Sequence, residues 1–279
     1  MTDLLALGAD VRATDAEAAT AARTHARPAA GRLAELAEWL AATTGGYPPT
    51  PARRPRLTVV GAVEPVVAGL AEEAGVGLHH LTAEEPSSAF AAGVAAADDE
   101  VDGGADLLVL AARDATLAPA LAVGVLTGAE PVALLPRGAQ AVDSRAWTEQ
   151  VVRLRDARRE VTSLRHAPVE LLDQLQSAAL AAATGFLLRA VSRRTPVVLD
   201  GAAALAAALL CYEVQPRAAY WWRVSDTSVD PVHGHAVEYL LQQPVLGLGA
   251  SSGDGIAGLL AVAVLRSAVA LAGNRSEDE

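Results

Sequence analysis

The chain has 279 residues and a formal net charge of −11, the balance of 22 Lys+Arg against 33 Asp+Glu. Every one of these cations is an arginine, because the sequence contains no lysine. This composition excludes chemistry that depends on a lysine, such as Schiff-base or pyridoxal-phosphate catalysis and the P-loop. The acidic balance, with no basic stripe, also argues against a nucleic-acid partner.

The hydrophobic content is 52% but aromatic residues contribute only 4%, which predicts a core of Ala, Leu and Val in packed helices and buried strands. Uncharged stretches such as residues 174–188 fall short of the roughly 20 residues that span a membrane. The first ten residues lack a basic region typical of a signal peptide, and Cys211 is the only cysteine. We therefore expect a soluble, cytoplasmic protein with no membrane association.

Apolar periodicity predicts helices at residues 14–25 and 32–43, followed by a linker rich in Gly and Pro. A β-branched run at 56–61 and a helix at 65–74 follow. Further strands are expected at 76–79, 105–111, 131–135, 195–199 and 219–224, with Ala-rich helical stretches between most of them. Helices are also expected at 145–159, at 170–193 as one long apolar helix opened by Pro168, and at 259–272.

Strands that alternate with helices predict a mostly parallel sheet covered on both faces. The fold class is thus α/β, with a three-layer Rossmann-like sheet and a small helical subdomain. We expect residues 1–50 and 254–274 to form that subdomain, residues 56–250 to form the α/β core, and residues 275–279 to be a polar tail.

Two segments carry the signals of a binding site. The strand-to-turn sequence TPVVLDG places Asp200 and Gly201 at the carboxyl end of a strand, where open α/β sheets bind ligands. A Gly/Ser-rich stretch at 247–258 leads into a helix, and the free N–H groups of a helix N-terminus suit an anion such as phosphate. The alternative is an ordinary helix start in which Ser252 or Asp254 is the cap.

Three motifs point to a known family. SDTSVDPVH at 225–233 resembles S-H-x-S-x-E-x-G-H, SGDGIAG at 252–258 resembles L-G-E-G-T-G-A, and PVVLDG at 196–201 is similar to a family strand. All three family motifs belong to the nicotinate-nucleotide:dimethylbenzimidazole phosphoribosyltransferases of cobalamin assembly. The similarity is strongest after residue 170, with weaker segments at 31–41, 55–61 and 104–108.

The resemblance implies transfer of phosphoribose from nicotinate mononucleotide to a benzimidazole nitrogen, without a cofactor, by a homodimer. Asp254 stands at the position of the family's general-base Glu, one methylene shorter, or about 1.5 Å. The remaining implied positions bind substrate. Ser228, Asp230 and His233 would line the nucleotide side, Ser251, Ser252, Gly253 and Gly255 would hold phosphate or ribose, and Asp200 and Gly201 would support the floor.

The chain departs from the family where G-E-M-G-I-G-N-T-T is expected, because it has Arg113, Asp114 and Thr116 in place of the glycines. Arg113 could replace that loop as a bidentate phosphate clamp beside Thr116, or it could be an exposed or ion-paired arginine. Two alternatives to the family reaction follow. A transferase with a different acceptor base would have Arg113 turned into an intact pocket, whereas a non-catalytic paralogue that binds a ligand or partner subunit would use Asp254 only as a cap.

Neither pair of histidines has the spacing of a metal site. His233 and His235 would point apart on a helix, and His79 and His80 lie at a strand end, so no metal is expected. The adjacent Trp221 and Trp222 are interpreted as a pair that packs on the sheet and not as a stacking platform for a base.

Overall fold

The computed structural model describes residues 2–27, 30–50, 52–137 and 143–273. Its centre is a five-stranded sheet in which every pair is parallel, in the order β2-β1-β3-β4-β5. The strands are β1 (Pro55–Val60), β2 (Gly77–Leu81), β3 (Leu107–Ala112), β4 (Val197–Asp200) and β5 (Trp222–Val224).

The helices surround this sheet. Those before β3 are α1 (Thr2–Asp10), α2 (Ala16–Thr24), α3 (Arg32–Thr44), α4 (Pro65–Glu73) and α5 (Pro86–Asp102). Those between β3 and β5 are α6 (Ala118–Thr127), α7 (Ser144–Val161), α8 (Pro168–Leu175), α9 (Ala178–Ser192) and α10 (Ala202–Val214). After β5 come α11 (Pro231–Tyr239) and α12 (Ile256–Gly273).

The central strands read as continuous apolar runs because both of their faces are covered. Leu57, Val109 and Val198 are paired across β1, β3 and β4, and they face the core formed with α3, α4 and α12. Their neighbours Leu108 and Leu199 face the opposite core, which includes α5, α9 and α10. The predicted three-layer α/β architecture is confirmed.

The tightest helix pair is α5 with α9, and its closeness depends on two glycines. A Cβ on Gly93 would lie 2.0 Å from the carbonyl oxygen of Ala182, and one on Gly185 would lie 2.2 Å from that of Phe90. The small residues of this chain therefore set the spacing of the layer.

The strand expected at 131–135 is wrong. Residues Pro131–Ala133 form a turn of 3₁₀ helix, and Leu134 packs beside Gly124 of α6. Pro131 is buried and has no N–H to give to a sheet. The apolar run therefore reflects burial under a helix and not strand pairing.

The single helix expected at 170–193 is also wrong, because α8 ends where Gln176 takes a left-handed conformation with φ of 48°. Ser177 then begins α9 by accepting a hydrogen bond on its hydroxyl from the N–H of Leu180, at 3.0 Å. A serine followed by a helical run is an N-cap signal, so the sequence did contain the break.

The terminal helices lie on different sides of the sheet. α3 packs on α12, whereas α1, which the sequence pattern did not predict, contacts α9 and α10. The grouping of residues 1–50 with 254–274 as a subdomain stays a prediction, and the polar tail at 275–279 lies outside the described residues. α12 is long and apolar enough to cross a membrane by length and composition alone, but Leu259, Val262 and Leu265 are buried against the sheet.

The packing interpretation of the tryptophan pair is confirmed. Trp222 is completely buried in the core, and the indole N–H of Trp221 donates to the carbonyl oxygen of Arg12 at 2.8 Å. Neither ring offers a free face to a planar ligand.

Candidate active site

A buried carboxylate, that of Asp200, organises the carboxyl edge of the sheet. It ends β4 and accepts hydrogen bonds from the Ser251 hydroxyl at 2.8 Å, from the N–H of Gly255 at 2.9 Å and from that of Gly253 at 3.3 Å. The Ser251 oxygen in turn accepts from the N–H of Gly201 at 2.9 Å. Burial raises the pKa of Asp200 to about 6, against the opposing hydrogen bond from Ser251.

The loop of residues 251–255 is thereby fixed over the ends of two strands. Gly253 has φ of 81°, and a Cβ there would lie 2.3 Å from the carbonyl oxygen of Ala112. A Cβ on Gly201 would meet the Cα of Gly253 at 2.4 Å. Only glycine fits this approach of backbone to backbone. The polar groups of Ser251, Gly253 and Gly255 are engaged by Asp200, so their contact with phosphate or ribose stays a prediction.

Above this frame, Asp254 and Arg113 form an ion pair at the surface. The Asp254 carboxylate is 3.1 Å from Nη2 of Arg113, and it accepts hydrogen bonds from the Ser252 hydroxyl at 2.7 Å and from the N–H of Ile256 at 2.9 Å. The guanidinium also pairs with Glu64 at 2.8 Å and donates to the Ser252 carbonyl at 3.3 Å. Asp254 therefore caps α12 and is covered by an arginine at the same time.

The turn after β3 is closed by its own side chains. Asp114 accepts from the N–H of Thr116 at 2.8 Å and also from the Ser177 hydroxyl at the start of α9. The Thr116 hydroxyl accepts from the N–H of Ala118 at 3.1 Å. Thr116 thus supports the start of α6, and this turn stands where the family resemblance predicts a glycine loop.

A second buried carboxylate, Asp226, follows β5 and was missed by the sequence reasoning. It accepts N–H groups of Thr227 and Leu248 at 2.7 Å each and of Ala250 at 2.9 Å. Burial raises the pKa of Asp226, but these hydrogen bonds outweigh it and the pKa is lowered overall. The signal was an Asp at the carboxyl end of a strand, the same placement that singled out Asp200.

Ser228, Asp230 and His233 lie together on the segment that runs from β5 into α11. Ser228 forms an antiparallel bridge with Ala250, which places this segment beside the 251–255 loop. The Ser228 hydroxyl accepts from the N–H of Asp230 at 3.2 Å, and Asp230 caps α11 through Val232 at 2.9 Å. Burial raises the pKa of Asp230, and the N–H groups of Val232 and His233 oppose that rise.

His233 is 1% exposed, and among the described residues neither of its ring nitrogens has a hydrogen-bond partner. Burial lowers the pKa of His233 to about 4, with only partial compensation from the charge of Asp226. The ring is therefore neutral at physiological pH. Over the described ranges, no group of three or more His, Cys, Asp or Glu side chains is placed to hold a metal ion.

The predicted site residues thus form three groups. Asp200, Gly201, Ser251, Gly253 and Gly255 make a buried frame, Arg113, Ser252 and Asp254 make its exposed rim together with Glu64, and Ser228, Asp230 and His233 line the flank. Thr116 belongs to the neighbouring turn. Chemically, the rim offers two carboxylates, those of Asp254 and Glu64, that can take a proton, and one guanidinium that can bind an oxyanion.

Comparison with known proteins gives a consistent result. The family described as Phosphoribosyltransferase matches residues 79–278. A nicotinate-nucleotide--dimethylbenzimidazole phosphoribosyltransferase of Mycolicibacterium paratuberculosis is 34% identical over 88% of this chain and 87% of its own. The protein of the same name from Streptomyces avermitilis is 38% identical, over 69% of this chain and 52% of its own length.

Solved structures show the same fold. The crystal structure of CobT from Thermus thermophilus superposes with a TM-score of 0.77 at 24% identity, covering 91% of this chain and 96% of that one. The family match and the named relatives identify the class of protein as a phosphoribosyltransferase. The chain belongs to the nicotinate-nucleotide–dimethylbenzimidazole phosphoribosyltransferase family.

Proposed function

We propose that this protein transfers phosphoribose from nicotinate mononucleotide to the nitrogen of an azole base. The azole nitrogen forms a bond to C1′ of the ribose while the bond from C1′ to the pyridinium nitrogen breaks. The electron pair of that bond neutralises the pyridinium, so nicotinate leaves, and the azole N–H proton passes to Asp254. The products are an α-ribotide and nicotinate.

The observation that carries this proposal is the placement of Asp254. Its side chain is 14% exposed on the carboxyl edge of the sheet, at the start of α12, on a loop that Asp200 holds from below. A base must be fixed within hydrogen-bond reach of the proton that it takes. The capping bond to Ile256 and the bond from Ser252 supply that fixed position.

Arg113 has a double role in this proposal. While it pairs with Asp254, the guanidinium covers the carboxylate that would take the proton. The phosphate of the nucleotide competes for the guanidinium, since Arg binds phosphate bidentately. Substrate binding then releases Asp254 for proton transfer, and Arg113 takes over from the missing glycine loop.

The shorter carboxylate bears on the acceptor. With the same backbone, the carboxylate oxygen of an Asp lies one C–C bond, about 1.5 Å, closer to the main chain than that of a Glu. A misplacement of about 1 Å can lower the rate on the order of 100-fold. We therefore propose an azole acceptor that seats closer to Asp254 than 5,6-dimethylbenzimidazole does, such as an unsubstituted benzimidazole or imidazole.

The test is a product assay with nicotinate mononucleotide and each of these azoles, beside calorimetric titration of the nucleotide. Asp254→Asn keeps the cap but cannot take a proton, so turnover is expected to fall by about 100-fold or more while nucleotide binding remains. Asp254→Glu should favour dimethylbenzimidazole over the smaller azoles. Equal turnover in Asp254→Asn and the native protein would refute the role of this carboxylate.

The Arg113→Gln variant distinguishes an arginine that binds the phosphate from one that only covers Asp254. As a clamp, its loss is expected to raise KM for the nucleotide by about tenfold or more, the value of a charged hydrogen bond. Arg145→Gln on the exposed face of α7 is the matched control for charge, and it should leave KM unchanged. An unchanged KM in Arg113→Gln would show that the arginine does not hold phosphate.

A second candidate function is a non-catalytic paralogue that binds a nucleotide-like ligand or a partner subunit. It is favoured by the Arg113–Asp254 ion pair and by the closed turn at Thr116, which occupy positions where the family has an open loop. Nucleotide binding with no product from any azole would support this candidate. Absence of binding at millimolar nucleotide would count against the transferase and against a nucleotide-binding paralogue, and it would leave the paralogue that binds a partner subunit.

We further propose that the protein is a cytoplasmic homodimer. Leu260 of α12 and Val66 of α4 are 44% and 54% exposed on neighbouring helices, so a second copy would gain from covering them. Cys211 is buried and reduced, which suits a reducing compartment. Light scattering coupled to gel filtration should give twice the mass of the 28.5 kDa chain.

A further inference from the structure

A cavity lies beside the edge strand β5, and none of its lining residues belongs to the candidate active site. Its volume is about 510 Å³, within the range of small-molecule sites. The walls come from the start of α3, the turn before β5 and the residues that follow α11. The polar lining residues that matter here are Arg32, Glu35, Arg217, Tyr220, Arg223 and Gln242.

Arg223 is the central cation of this cavity. Its guanidinium lies over the ring of Trp39, 5.0 Å from the centroid, and Nη1 donates to the carbonyl oxygen of Trp222 at 2.8 Å. Among the described residues it makes no ion pair with a carboxylate. Burial lowers the pKa of Arg223 to about 10, and the charge of Arg32 adds to that effect. The charges of Glu38 and Glu35 act in the opposite direction and offset this lowering only in part, so the half-buried guanidinium is incompletely compensated.

The other charges around the cavity leave a positive excess. Arg32 donates to the carbonyl oxygens of Gln243 at 2.8 Å and Pro244 at 2.6 Å, and it lies 3.6 Å from the exposed Glu35. Arg217 is exposed at the rim. Three arginines and one glutamate line the cavity, and the nearby Glu38 pairs with Arg23, in a protein whose net charge is −11. A half-buried positive site on an acidic protein favours the binding of an anion.

We propose that this cavity binds a small anionic molecule through Arg223 and Arg217. The ligand would carry an oxyanion, either a phosphate or a carboxylate, that accepts two hydrogen bonds from one guanidinium. The side chains of Tyr220 and Gln242 supply neutral donors at the same wall. This site stands apart from Asp254, so it does not depend on the proposed transferase activity.

The experiment is calorimetric titration of the full chain with two probes, inorganic phosphate and benzoate. Saturable binding in the millimolar range is expected for at least one of them. Arg223→Met keeps the apolar stem, and it is expected to weaken binding by about tenfold or more. Arg217→Gln, at an exposed position that does not threaten folding, should weaken it by about threefold or more. Tighter phosphate binding assigns a phosphorylated ligand, and tighter benzoate binding assigns a carboxylate.

Two controls keep the result specific. Arg145→Gln removes the same charge from α7 and should leave the affinity unchanged. Asp254→Asn should also leave it unchanged, because the cavity lies outside the candidate active site. No saturable binding of either probe, or equal weakening by Arg145→Gln, would overturn the proposal. A change in affinity in Asp254→Asn, in either direction, with none in Arg223→Met would assign the anion to the active site and overturn it as well.

Discussion

Replacement of Asp200 by asparagine is expected to change how the stability of the protein depends on pH. Asp200 is completely buried, and burial raises its pKa from 3.8 to about 6 in the folded protein. The folded state therefore holds this proton more tightly than the unfolded chain does. The resulting stability is fully present below about pH 3.8 and is lost as the pH rises through about 6.

The size of the effect follows from those two values. As the pH rises from about 5 to about 7.5, the titration of Asp200 lowers the free energy of unfolding by about 1.4 kcal/mol. An asparagine at this position has no such titration, and it keeps one acceptor oxygen for the loop. Relative to the native protein, the Asp200→Asn variant should therefore gain about 1.4 kcal/mol between the same two pH values.

Urea unfolding of both proteins at each pH, followed by tryptophan fluorescence, measures this difference. Groups that titrate alike in the two proteins cancel. Asp156→Asn, an exposed change on α7, is the control for net charge and should show no such gain. If the native protein and Asp200→Asn changed in parallel from pH 5 to pH 7.5, the raised pKa of Asp200 would be refuted.

Gly185→Ala would place a Cβ 2.2 Å from the carbonyl oxygen of Phe90, and overpacking of this kind costs about 1–3 kcal/mol. Gly69→Ala, in open space on α4, should instead stabilise by about 0.5–1 kcal/mol, and equal urea midpoints would contradict both expectations. The lowered pKa of His233, about 4, means that the stability it contributes falls as the pH drops from about 6.5 to about 4. An NMR titration with a His233 midpoint near 6.5 would disprove this. Burial raises the pKa of the Cys211 thiol, so a thiol reagent should react only after unfolding, and rapid labelling in native buffer would show that the core opens.

The sequence predicted the sheet well because its central strands are buried on both faces. Runs such as RLTVV and PVVLD are too short to be predicted as amphipathic helices, and a glycine follows each of them. Asp200 was likewise identified from its place after such a run. The misplaced strand at 131–135 has the same apolar composition, so composition alone could not separate a strand from a turn buried beneath α6.

The long-range contacts in and beside the candidate site could not be predicted from sequence patterns. Arg113 meets Asp254 across 141 positions of chain, and Asp226 meets Ala250 across 24. Local spacing carries no information on such partners. The sequence allows Arg113 to be either a clamp or an ion-paired side chain, and the structure shows the ion pair with Asp254.

The position of α12 has a consequence for how the protein is made. Leu57, Val109 and Val198 lie on a sheet face whose cover includes Leu259, Val262 and Leu265 of this last described helix. As the chain leaves the ribosome, at about 5–20 residues per second, β1, β3 and β4 are complete well before that helix emerges. During that interval this hydrophobic face is exposed and can bind chaperones or other nascent chains. The loop that carries Asp254 is synthesised directly before α12, so the candidate site is completed only after all five strands of its sheet have been made.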